Sequence, residues 1–139
     1  MKTTRWGLIG AGWIATKAIA PAIHAQPNAI VQGVASRDPK RAQLLNPITV
    51  HNSYEELIND PLVDAVYISL PNHLHCEWSV KALNAGKHVL CEARMALNAD
   101  QGHEMLDSSL RHPRLVAQIV PAPHTLAFDR TIMEMIGAG

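Results

Sequence analysis

The chain has 139 residues and a mass of 15.2 kDa, which leaves room for one domain that buries roughly 70% of its unfolded surface and little room for a second. Apolar residues make up 47% and charged residues 17%, which excludes disorder and low complexity. Twelve basic side chains balance twelve acidic ones, so the basic stripe expected of a nucleic-acid or anionic-membrane partner is absent.

Residues 4–9 read as a first strand that runs into glycines. The apolar run behind Lys2 and Arg5 superficially resembles a secretory leader, but it carries three glycines and no small-residue cleavage site. Residues 13–26 read as a helix that Pro21 must kink or divide, because proline removes an internal hydrogen bond. Between strand and helix stands Gly-Ala-Gly-Trp-Ile-Ala, the GxGxxA dinucleotide fingerprint. Gly10 permits the tight turn, Gly12 lets the backbone approach a pyrophosphate, and Ala15 allows helix to pack closely on strand. The amides that open the helix, at Gly12, Trp13 and Ile14, point outwards, where the helix dipole places about half a positive charge. A ligand-free alanine- and glycine-rich turn has the same letters, but the strand before and the helix after favour the dinucleotide.

Residues 30–35 form the second strand. An NAD-binding site usually has an acid at its end, to hold the ribose 2′-hydroxyl. Here Ser36 and Arg37 occupy that place, with Arg41 one helical turn on, a set that suits a 2′-phosphate and favours NADP over NAD. Alternatively, Arg37 stacks on adenine or lies in solvent. Asp38, the nearest acid, is an N-cap followed by Pro39 at the first helical position, which opens a helix over residues 40–45.

A short strand is expected at residues 49–50. Ser53 and Glu56 then have capping-box spacing for a helix over residues 54–59. Residues 64–70, almost without polar alternation, read as a parallel strand covered on both faces, and Pro71-Asn72 ends it. A helix over residues 73–85 closes at Gly86. Residues 88–91 are a strand, 99–110 a helix, 115–120 a strand and 126–136 a last helix. In that last segment Leu126, Ile132, Met133 and Ile136 fall near one side, a core face or a surface for self-association. Trp6 and Trp78 are expected to pack on the sheet and its covering helix, while Trp13 lies against the cofactor or plugs the domain face.

Strands alternating with helices imply right-handed crossovers: an α/β fold with an open, doubly wound, mostly parallel sheet and helices on both faces, in a single domain. Ligands of such folds bind beyond the carboxyl ends of the strands. No metal is expected, because His73 and His75 have no third ligand near them in the sequence. Cys76 and Cys91 form no CxxC pair, which suits free thiols in a reducing, cytoplasmic compartment.

The run Asp-Ala-Val-Tyr-Ile-Ser-Leu-Pro-Asn-His-Leu-His, followed by Ala-Leu-Asn-Ala-Gly-Lys-His-Val-Leu-Cys-Glu, resembles the glucose-fructose oxidoreductase, inositol dehydrogenase and rhizopine catabolism protein family (Gfo/Idh/MocA), as do GLIGAGWIA and ASRDPKRA. The resemblance covers the whole chain. It implies an amino-terminal Rossmann domain that binds NADP or NAD, with Leu70, Pro71 and Asn72 beside the nicotinamide, His75 close by, and Glu92 at the end of the fifth strand. Two departures matter. The family's Cys-Glu-Lys-Pro, whose lysine is implicated in proton transfer, here reads Cys91-Glu92-Ala93-Arg94, so no catalytic residue is assigned. Arginine is too basic to exchange protons, although it can orient or stabilise an oxyanion. The second departure is length, because family members continue into a substrate domain that is absent from these 139 residues. A lost partner leaves an apolar face for a homo-oligomer or a second chain. Three readings follow: a cofactor-binding domain incomplete as an enzyme, a sugar or polyol oxidoreductase completed by association, and a structural or regulatory remnant.

Overall fold

The computed structural model describes residues 3–120, together with Glu134, Met135 and Gly137. Six strands form one sheet in the order β3-β2-β1-β4-β5-β6: β1 Thr4–Ile9, β2 Ala29–Ala35, β3 Thr49–His51, β4 Ala65–Ile68, β5 His88–Cys91 and β6 Ala117–Ile119. Every neighbouring pair is parallel. The order reverses between β1 and β4, so a crevice opens at their carboxyl ends.

Alternation along the strands supplies two cores. Leu8, Val34 and Tyr67 point to the face covered by α1 (Ala20–His24) and α2 (Pro39–Gln43). Ile9, Ala35, Val66 and Ile68 point to the face covered by α3 (Tyr54–Asn59), α4 (His75–Asn84) and α5 (Ala99–Arg111). All four residues of β4 are buried, as expected for a central parallel strand. Each fully buried aliphatic side chain contributes about 1.5–3 kcal/mol relative to leaving it in water. Trp78 is buried against an edge-on Tyr54 ring, 4.9 Å between centroids, and Lys81 Nζ lies 4.3 Å from its centre.

Asp38 and Ser53 cap their helices as the sequence predicts, but the Glu56 carboxylate accepts from the Asn52 amide (2.9 Å) in place of the Ser53 amide of a capping box. Asp38 accepts from the amides of Lys40 and Arg41, and Ser53 accepts from the amide of Glu56. Gly86 ends α4 at φ +77°. The cap of α5 is Asn98, whose side chain accepts from the Gln101 amide.

Several boundaries differ. The helix expected over residues 13–26 is divided just before Pro21: Ala15–Ile19 is π-helical, the Ala20 amide donates to the Ala15 carbonyl, and the α-helical part is Ala20–His24. The wider turn takes up the missing donor and the bulk of the proline ring. β4 is shorter than residues 64–70, because Asp64 turns its carboxylate to Arg5 and the chain bends towards Pro71. α4 is preceded by a 3₁₀ turn, Asn72–Leu74. The expected helix over 126–136, and its surface for self-association, lie outside the described residues except for Glu134 and an exposed Met135.

Candidate functional site

Beyond the ends of β1, β2 and β4 is a cavity of about 250 Å³, lined by Gly10, Ala11, Gly12, Ser36, Arg37, Asp38, Arg41, Tyr54, Ser69, Leu70 and Pro71. Its floor is built by close backbone approach. Gly10 has φ +92°, and a Cβ there would stand 2.4 Å from the Ser69 carbonyl oxygen, so neither the dihedral nor the space admits a side chain. A Cβ at Gly12 would lie 3.1 Å from Ser69 Oγ. The Gly10 amide donates to Ala35 O (2.8 Å), which ties the turn to β2, and Thr16 donates to Gly12 O through both its amide and its hydroxyl. Ala15 is fully buried, as its packing role demands. The turn is thus held rigid from below, with its backbone bare above.

At one end of the cavity are Ser36, Arg37 and Arg41. Asp38 is fixed as a helix cap, and its own amide donates to Ser36 Oγ (3.2 Å). Among the described residues no carboxylate forms an ion pair with Arg37 or Arg41. Two guanidinium groups without an ion-pair partner among the described residues thus stand beside a bare glycine turn, in a chain of zero formal net charge. A second hollow of about 220 Å³, lined by Ser36, Arg37, Asn52, Ser53, Tyr54 and Glu55, continues from it.

At the other end is the loop after β4. Leu70 and Pro71 line the cavity, whereas Asn72, Trp13, Ile14 and Glu92 lie outside its lining. Trp13 is 72% exposed and so plugs nothing among the described residues. The fully buried Tyr67 donates its hydroxyl to Glu92 Oε1 and fixes that carboxylate at the end of β5; burial, then this bond, pushes the phenol well above its ordinary value. His73 is exposed and His75 is wholly buried, so the two do not form a pair. The His75 ring nitrogens lie 2.7 Å from the Arg94 and Leu70 carbonyl oxygens. Ala93 and Arg94 are exposed, and the peptide between them is cis. Among the described residues no group of three or more His, Cys, Asp or Glu gathers as a metal site, and no helix is long and apolar enough to cross a membrane.

Ser69 and Tyr54 were missed by the sequence reading. Ser69 follows the β4 run and Tyr54 follows the Ser53 cap, so their positions were legible, but only the strand order brings them to the glycines.

Residues 4–118 match the oxidoreductase family with an NAD-binding Rossmann fold, Gfo/Idh/MocA. Over its full length the chain is 37% identical to an uncharacterized oxidoreductase of Rhizobium meliloti, of which it covers 42%. It is 40% identical, over 73% of its length, to 1,5-anhydro-D-fructose reductase of Ensifer adhaerens, covering 32% of that protein. Among solved structures, a mutant of a 3-ketoreductase from Actinomadura kijaniata, in complex with TDP-benzene and NADP, superposes with a TM-score of 0.82 at 32% identity. The match takes in 99% of this chain and 45% of that one. The chain therefore spans less than half the length of these relatives.

Proposed function

The chain belongs to the Gfo/Idh/MocA oxidoreductase family, in its NAD-binding Rossmann part, and from that premise we propose that it binds NADP(H) in preference to NAD(H). The observation that carries the preference is the pair of arginines, Arg37 and Arg41, which have no ion-pair partner among the described residues and stand beside Ser36 on the cavity of the glycine turn, with Asp38 committed to capping α2. The turn from Gly10 to Ile14 receives the pyrophosphate, Ser36, Arg37 and Arg41 receive the 2′-phosphate, and Leu70, Pro71, Asn72 and Glu92 flank the nicotinamide. A bound nicotinamide supplies hydride transfer, and these residues bind and orient it. Ala93 offers no acid or base, so cofactor binding, and not proton transfer, is the work assigned to this chain. The NADP complex of the related 3-ketoreductase supports the reading.

Residues 1–139 serve as the dinucleotide-binding part of the oxidoreductase, and substrate selection belongs to another domain or chain. Leu106, Leu110 and Val116, each at least 50% exposed, favour association through an apolar face. Two free, buried cysteines favour a cytoplasmic setting.

Tryptophan fluorescence tests the proposal, because the exposed Trp13 lies within the fingerprint. Titration with NADPH should give saturable quenching at lower concentration than NADH, weakened by salt. No change with either at millimolar ligand contradicts the reading.

A further inference from the structure

Two loops rise from the carboxyl end of the sheet beside the glycine turn: residues 69–72 after β4 and residues 92–94 after β5. Between them, from the first residue of α4, is the ring of His75, with no exposed surface. Its Nε2 lies 2.7 Å from the Leu70 carbonyl oxygen, and its Nδ1 lies 2.7 Å from the Arg94 carbonyl oxygen. A carbonyl oxygen only accepts, so each contact is a hydrogen bond only if that ring nitrogen carries a proton. Which nitrogen donates depends on the tautomer, and in either one the ring lies between the two loops and touches both. Because His75 is fully buried and both nitrogens are taken, it has no free polar atom for a ligand. It acts through the backbone it holds.

We propose that His75 is a positioning residue: a clip that fixes the β4 loop at Leu70 and the β5 loop at Arg94 relative to each other, and so sets the width of the nicotinamide end of the pocket. The proposal rests on the dinucleotide-binding reading. The clip acts at one end of the cofactor only. Leu70 lines the cavity directly, while Ser36, Arg37 and Arg41 are positioned by β2 and the Asp38 cap, which share no hydrogen bond with His75. Losing the clip loosens the grip on nicotinamide and leaves the grip on the 2′-phosphoadenosine unchanged.

The test uses the full chain and two ligands, NADPH and adenosine 2′,5′-bisphosphate, which lacks the nicotinamide half. His75→Gln, which can still donate to one carbonyl, should weaken NADPH about tenfold and move adenosine 2′,5′-bisphosphate by less than about twofold. Unchanged NADPH affinity, or an equal loss for both ligands, overturns the clip. If the variant fails to fold, the wild type decides: in a chain labelled with nitrogen-15 at histidine, His75 should show a ring N–H that is hydrogen-bonded and slow to exchange with water. A His75 ring proton that exchanges as fast as that of the exposed His73 overturns the proposal. Wild-type chain that binds neither ligand removes the dinucleotide reading instead, and the ring-proton spectrum still decides the clip.

Discussion

At the amino-terminal end of the sheet, Arg5 makes a bidentate pair with Asp64, 2.9 Å and 2.7 Å, and Lys87 donates to the carbonyls of Asp60 and Val63 at 2.7 Å and 2.8 Å. At the carboxyl end, Arg37 and Arg41 face a cavity, and no carboxylate among the described residues pairs with either. Both ends carry basic side chains in a chain with no net charge, so composition does not distinguish them. Pairing does. Cations bound to protein oxygens close one end of the fold, and at the other, cations with no ion-pair partner among the described residues stand beside a bare backbone turn, the arrangement on which the proposed anion binding rests.

The sharpest way to break this contrast is at the open end. Gly12→Val puts a branched side chain where the pyrophosphate would approach, and calorimetry should find NADPH affinity reduced by at least about a hundredfold with the fold retained. Unaltered affinity would move the phosphate site away from this turn. Arg37→Ala should come next, weakening NADPH by about ten- to a hundredfold and NADH by much less, since a charge-assisted hydrogen bond is worth about 1.5–3 kcal/mol. Equal losses would assign the guanidinium to adenine and not to a 2′-phosphate.

At the closed end the expectation is reversed. Lys87→Met leaves the Asp60 and Val63 carbonyls without their ammonium donor, and denaturant unfolding should show a loss of about 1–3 kcal/mol with NADPH affinity unchanged. An effect on affinity would mean that the ends are coupled through the sheet.

The smallest effect concerns the thiols beneath the open end. Burial pushes both Cys76 and Cys91 up to about 11 from an ordinary value of 9.0. The folded chain therefore keeps these protons at a pH where the unfolded chain has lost them. The stability this gives is complete below pH 9.0 and declines as pH rises towards about 11. Urea midpoints across that interval should fall in the wild type and fall less in Cys91→Ala.

The sequence disclosed most where the chemistry is local. The glycine turn is legible because φ +92° and a 2.4 Å approach at Gly10 require glycine, and the Asp38 and Ser53 caps are legible because their partners lie two or three residues away. Ser69 and Tyr54 were not read as lining residues, because only the sheet order brings them to Gly10 and Arg37. The role of His75 was also hidden. Its partners lie five and nineteen residues away on separate loops, and no periodicity places them around one ring. Pro21 marked a disturbance correctly, but helix propensity does not distinguish a kink from the π-helical turn that accommodates it.

The contrast between the closed and open ends comes to one measurement: isothermal titration of the full chain with NADPH and with NADH at two salt concentrations. One site is expected for each ligand, tighter for NADPH, with the advantage of NADPH shrinking as salt screens Arg37 and Arg41. No heat from either ligand at millimolar concentration, or equal affinities indifferent to salt, would contradict it.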